Sequence, residues 1–241
     1  MSTLKLLYET SYPINDFIHV KIPTVGEVLD HEDDYYSLVY LLTAMPIDLM
    51  VMLDDAGVDW TTVNEYDVFL MMFTAMQAQD TSLVFDNLDL SKFAMAVNQQ
   101  NGNVVLRDEA NNITIDRAIH GQVARVLRRI HNLKQDRRKP ANKEARDYML
   151  ERARIKAKRN RNRKQESELE TLIVAMVNTP EFKYDFDGVR NMTIFQFNES
   201  VQQVIKKVEY NNRMIGVYAG TVSTKNLSQD DLNWLTHKQR R

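Results

Sequence analysis

The chain of 241 residues contains no cysteine. A structural disulfide, a thiolate zinc site and a cysteine nucleophile are therefore excluded, and the composition suits a reducing compartment. Glycine and proline are scarce, at seven and five. They fall mostly at the ends of patterned segments, which suits a helix-rich chain with short connections better than a sandwich or barrel full of turns. No long apolar run is present. The best stretch, Leu38 to Leu53, carries Pro46 and Asp48 and is too short and interrupted for a membrane helix. Near the start, Lys5, Glu9 and Asp16 break any signal-peptide pattern.

Catalytic signatures are also missing. There is no HExxH, no Cys/His cluster and no calcium-loop spacing. Phosphate-binding glycine loops and a G-x-S-x-G elbow are absent. The cluster DHEDD, residues 30–34, offers His31 and several carboxylates, but consecutive helical residues point in different directions and suit a solvated helix start. Asp116 and His120 are spaced to face each other on a helix, an arrangement as ordinary in capping as in catalysis, with His131 on nearly the same face. The adjacent pairs Asp54/Asp55 and Asp230/Asp231 do not face one another across a substrate. The expectation is a protein with no catalytic centre, no metal and no cofactor.

What is present is charge, unevenly placed. Residues 1–119 hold 5 Lys and Arg against 19 Asp and Glu, a net of −14. Residues 120–170 hold 17 against 7, a net of +10, and residues 171–241 hold 9 against 7, a net of +2. The whole chain carries only −2. A reversal of this size points to internal complementarity or to separate surfaces for separate partners.

The patterning predicts a mainly helical α+β fold. A region from 1 to 115 should hold acidic helices and a small β element. Within it, Thr24 and Glu27 have capping-box spacing, a helix runs from Asp33, Pro46 opens another that Gly57 ends, and Thr62 with Glu65 caps a third. Met45, Met50, Met52, Met71, Met72 and Met76 fall in these helices and read as core filling more readily than as an adaptable surface. Strands are expected at 93–97, 103–107 and 112–115, with turns at Asn101-Gly102 and at Asp108 to Asn112. A second region, 116–178, should contain a helix capped by Asp116, with Ile119, Val123, Val126, Leu127 and Ile130 on its apolar face, then a long basic helix from Asn142 to about Asn178 that can fray near 160–165. The third, 179–241, should pack a long helix capped by Thr193 and Gln196 onto the rest, with Ile194, Phe197, Val201, Val204, Ile205 and Val208 on its core face.

The basic helix holds the candidate contact residues: Arg152, Arg154, Lys156, Lys158, Arg159, Arg161, Arg163 and Lys164. At about 100° per position they encircle the helix. A basic leucine zipper would continue into sustained heptads, but only Leu169, Leu172, Ile173 and Met176 follow before Pro180. No aromatic residue lies between 149 and 181 to stack on bases, although phosphate attraction needs none. Three occupants stay open for this helix: solvent or the chain's own acidic half, an acidic protein partner, and nucleic acid.

Three stretches carry a family resemblance: IPTVGEVLDHEDDYYSLVYLLTAMPIDL (22–49), KPANKEARDYMLERARIKAKR (139–159) and residues 182–235. Together they resemble bacteriophage proteins of the tail and baseplate region, similar in layout to baseplate-hub assembly proteins or tail assembly chaperones of contractile-tailed phages. The resemblance rests on general texture over most of the chain and supplies no site residue. It implies a noncatalytic assembly factor or minor virion component. Its partners would be other tail or baseplate proteins, in the host cytoplasm or the virion tail, and no membrane.

Overall fold

The computed structural model describes residues 3–161, 167–228 and 231–235. Among these residues the chain forms α1 (Thr3–Tyr8), β1 (Ser11–Pro13), β2 (His19–Lys21), α2 (Val25–Asp30), α3 (Glu32–Thr43), α4 (Met50–Asp55), α5 (Glu65–Met71) and α6 (Phe73–Gln77). Two 3-10 turns precede β3 (Ala94–Val97), β4 (Val104–Asp108) and β5 (Ile113–Ile115). Then follow α7 (Arg117–Ile130), α8 (Lys143–Arg161), α9 (Glu168–Val177), α10 (Phe186–Asn191) and α11 (Ile194–Tyr218). The fold is mainly helical with a small antiparallel sheet, β3-β4-β5, as the patterning predicts, and with a second sheet, β1-β2, that it does not. None of these helices is long and apolar enough to cross a membrane.

The meander β3-β4-β5 turns at Gly102 and Asn112, which both take positive φ, +70° and 54°. Three strands this short need support. Tyr66 of α5 gives it, its hydroxyl lying 3.2 and 3.0 Å from the carbonyl oxygens of Val104 and Ile115. At the centre of the main core runs α7, with Val123, Val126, Leu127 and Ile130 buried against α3 and the N-terminal part of α11. Here the apolar stripe read from spacing is the core stripe.

Two capping boxes meet back to back. Thr24 caps α2 with Glu27, and Thr193 caps α11 with Gln196, both through side chain and backbone. Thr24 and Thr193 form an antiparallel bridge, with Ile194 N–H donating to the Pro23 carbonyl at 2.8 Å and Val25 N–H to that of Met192 at 2.9 Å. Beside this junction α2 lies so close to α10 that a Cβ on Gly26 would fall 2.8 Å from Arg190 Cγ and 3.1 Å from its backbone oxygen.

Three expectations about element starts need correcting. The cap of α5 is Asn64 with Asp67, not Thr62 with Glu65. Thr62 instead donates its hydroxyl to the Asp59 carbonyl in the preceding turn, which Asp59 also closes through Thr61. Pro46 opens a hydrogen-bonded turn, and the helix proper begins at Met50, because Asp48 turns back to accept the Met45 N–H. The stretch from Asn142 to Asn178 is two helices. Ser167 is extended and accepts the Glu170 N–H, opening α9 anew.

A second apolar cluster joins Ile47, Leu49, Met50, Leu53, Trp60 and Val68 around α4. It is framed by Arg128 of α7, only 7% exposed. The Arg128 guanidinium donates to the Thr43 carbonyl at the end of α3 and to the Glu65 carboxylate at the start of α5, each at 2.5 Å. Removing one partner of such a pair leaves a buried charge uncompensated. We expect Glu65→Ala to cost about 3 kcal/mol of unfolding free energy, against under about 1 kcal/mol for an exposed ion pair, measured by urea denaturation. An unfolding midpoint within error of wild type would refute this role.

Candidate functional site

α8 carries the sequence's candidate contact residues. Asn142 opens it by accepting the Ala145 N–H. Nineteen residues at 1.5 Å each give it a length of about 28 Å. The helix is amphipathic only in its first half, where Met149, Leu150 and Ala153 rest on the second apolar cluster beside α4. Two arginines bracket that contact. Arg146 Nη1 donates to Asp59 at 2.7 Å, and Arg154 Nη2 donates to Asp54 at 2.7 Å and to Asp55 at 2.5 Å. Residues 146, 149, 150, 153 and 154 share one face because three- and four-residue steps return to the same side.

The acidic half of the chain thus receives the basic helix at one place. Arg154 is held by its own chain, and those two carboxylates raise its pKa from the ordinary value. From Arg154 onward every described side chain of α8 is exposed. Arg152, Lys156, Lys158 and Arg159 form no ion pair among the described residues. Arg161 is the last residue of α8, and Arg163 and Lys164 lie outside the described residues.

Two features of this surface escape the sequence reading. Tyr148, 61% exposed, sits one turn before Arg152, and Ile155, 40% exposed, sits one turn before Arg159. They place aromatic and apolar surface on the side that carries the unpaired arginines. The signal was there in the i, i+4 and i, i+7 spacing of Tyr148, Arg152 and Ile155. The Arg154 clamp also had a signal. Asp54 and Asp55 stand at the C-terminal end of α4, where a helix dipole disfavours negative charge, so they call for a nearby cation.

The Asp116–His120 pair does not come together as a site. Asp116 caps α7 by accepting the Ile119 N–H at 2.8 Å. His120 is buried, its Nε2 donating to the Leu42 carbonyl at 3.2 Å, with its ring stacked on Phe69 at 4.2 Å. Desolvation lowers its pKa to about 4. His131 Nε2 and the Tyr35 hydroxyl are hydrogen-bonded at 2.8 Å, and desolvation lowers this half-buried imidazole to about 4 as well. His31, in the acidic cluster, precedes α3 without a side-chain capping bond.

Residues 159–239 match the family described as the YomV second domain. The match covers the C-terminal third of the chain, from the end of α8 through α11. This phage-derived family suggests a phage protein. No curated protein and no solved structure matches the chain.

Docking of α8 should depend more on its apolar contact than on its exposed pairs. We expect Leu150→Ala to lower the protection of α8 amides by about 1–2 kcal/mol and Arg154→Ala by distinctly less, the latter fading in salt. Hydrogen exchange reads both, and a larger effect from Arg154→Ala would reverse the ranking. For the histidines, a folded pKa of about 4 lies below the ordinary imidazole value of 6.5. The unfolded chain then binds more protons between those values, so stability is complete above pH 6.5 and falls as pH drops toward 4. Thermal unfolding across this window should show the decline, and His120→Phe should flatten it. A constant midpoint from pH 6.5 to 4 would contradict the assignment.

Proposed function

We propose that this protein is a noncatalytic phage tail or baseplate assembly factor, or a minor structural component, that works through protein–protein contacts. The observation that carries this reading is the free end of α8. Arg146 and Arg154 hold the helix to the acidic half, while Arg152, Lys156, Lys158 and Arg159 stay unpaired among the described residues beside exposed Tyr148 and Ile155. Arginine and tyrosine on an exposed, well-anchored helix suit a protein interface, where they supply most of the binding free energy. The chain's own contacts illustrate the chemistry, since Arg154 grips a pair of aspartates at a helix end. The similarity of residues 159–239 to a phage-derived family supports a phage setting for that contact.

A second reading is favoured by the same unneutralised cations: a replication or packaging factor that binds nucleic acid by its phosphates. The two readings separate in one experiment. The protein is expressed with tail and baseplate proteins of its phage, and co-purification is compared for wild type and for Lys156→Glu with Arg159→Glu. Capture by wild type, lost in the variant, is the expected result. Gel shifts at several salt concentrations complete the test. A shift in which the variant reduces the salt slope by about two, with no protein captured, would replace the assembly reading with the nucleic-acid one.

A further inference from the structure

We propose that the free end of α8 docks onto the acidic surface of a second copy of this chain, giving head-to-tail self-association. This rests on the reading of α8 as a protein contact and names one partner for it. Charge complementarity identifies that partner. Residues 1–119 and 120–170 carry −14 and +10, yet among the described residues only Arg128, Arg146 and Arg154 of the second segment pair with acids of the first. Among the described residues most of both charges is therefore unmatched by ion pairs, and every copy displays both signs.

The acidic side is a definite surface. Glu32, Asp33 and Asp34 form the first turn of α3, and Gln79 Nε2 donates to Ser37 Oγ at 3.0 Å, tying the α6 end to that helix. Asp33 lies one turn before Ser37, and Asp80 follows Gln79 directly. An open cavity of about 400 Å³ continues this surface past Asp80, Asp86 and Asp89. No described cation pairs with Glu32, Asp33, Asp34 or Asp86, while Lys92 answers Asp89 at 3.5 Å. The exposed end of α8 offers Lys156, Lys158 and Arg159 as the counterpart, with Tyr148 and Ile155 to exclude water. Because the two surfaces differ, the contact is heterologous and propagates, in a ring or an open array. Opposed fields of this kind steer association and weaken in salt.

The test is sedimentation velocity on the full chain, treated with nuclease and freed of nucleic acid. In about 0.05 M salt the wild type should grow with concentration, and in about 0.5 M salt it should return to the 28.1 kDa monomer. Lys156→Glu with Arg159→Glu removes one surface, and Asp33→Lys with Asp34→Lys removes the other. Circular dichroism first establishes that both variants are folded. Each alone should stay monomeric. An equimolar mixture should regain association, because the two intact surfaces match and the two reversed surfaces are again of opposite sign. A monomeric wild type at about 0.1 mM in low salt, assembly that persists in either variant, or a mixture that does not pair overturns the proposal. Such a failure leaves capture of a different tail protein by α8 standing, so it is distinct from failure of the assembly reading.

Discussion

The arrangement of the contact surface depends on one buried guanidinium. Arg128 projects from the central helix α7 and binds a carbonyl at the end of α3, a group that helices leave unpaired, together with a carboxylate at the start of α5. Everything between those points, residues 44–64, is thereby closed into a loop whose ends are fixed. That loop contains α4 and most of the second apolar cluster. α4 in turn supplies Asp54 and Asp55, the carboxylates that receive Arg154. The position of α8 is thus set at second hand by a residue whose polar contacts, among the described residues, are to Thr43, Met45 and Glu65. The magnitudes agree with this order. A half-exposed clamp such as Arg154 with its aspartates contributes little by itself, whereas losing half of a buried pair is severe.

The first half of α8 has tertiary support and the second half does not, and the two halves obey different physics. A polar helix of this length is marginal in water without packing. Met149, Leu150 and Ala153 provide the packing up to Arg154. Beyond that point Lys156, Lys158 and Arg159 repel one another on a bare helix, though the helix dipole favours cations at a C-terminal end. Anionic groups brought against those cations would relieve that repulsion. The chain has a large excess of such groups in its first half, and α4 accommodates only the docked part of α8.

How far the sequence can be read depends on whether a signal is local. The strands at 94–97, 104–108 and 113–115 were legible within a residue, because alternation, Asn101-Gly102 and the polar break before Ile113 are all short-range. The caps at Thr24, Asp116 and Thr193 were equally plain, since a cap needs only the next three residues. Where two local devices compete, the sequence misleads. Thr62 and Asn64 both offer capping spacing, and Asn64 wins because the Asp59 turn already holds the Thr62 hydroxyl. Ser167 with Glu170 spelled a new helix start inside a stretch whose charge invited one continuous helix. For the candidate surface, residue types were legible but their division was not. Which arginines face α4 and which face outward depends on contacts about 100 residues away in sequence.

The segment similar to the YomV second domain is bound into this arrangement on two sides. Its Leu169, Ile173, Met176, Val189, Ile194, Phe195 and Phe197 join the same apolar core as Leu6, Ile18 and Val20 from the start of the chain. The Thr24–Thr193 bridge then locks the starts of α2 and α11 together, and Arg190 reaches Asp30 at 2.8 Å across the close α2–α10 approach. That approach needs Gly26, because any larger residue would push against α10. The acidic turn of α3 follows α2 directly, so the same junction that holds the C-terminal third also holds the acidic surface. Arg128 fixes the basic side and the paired threonine caps fix the acidic side. One charged surface is therefore ordered on the main core and the other on the second cluster, so the partner proposed above would meet both without having to order either first.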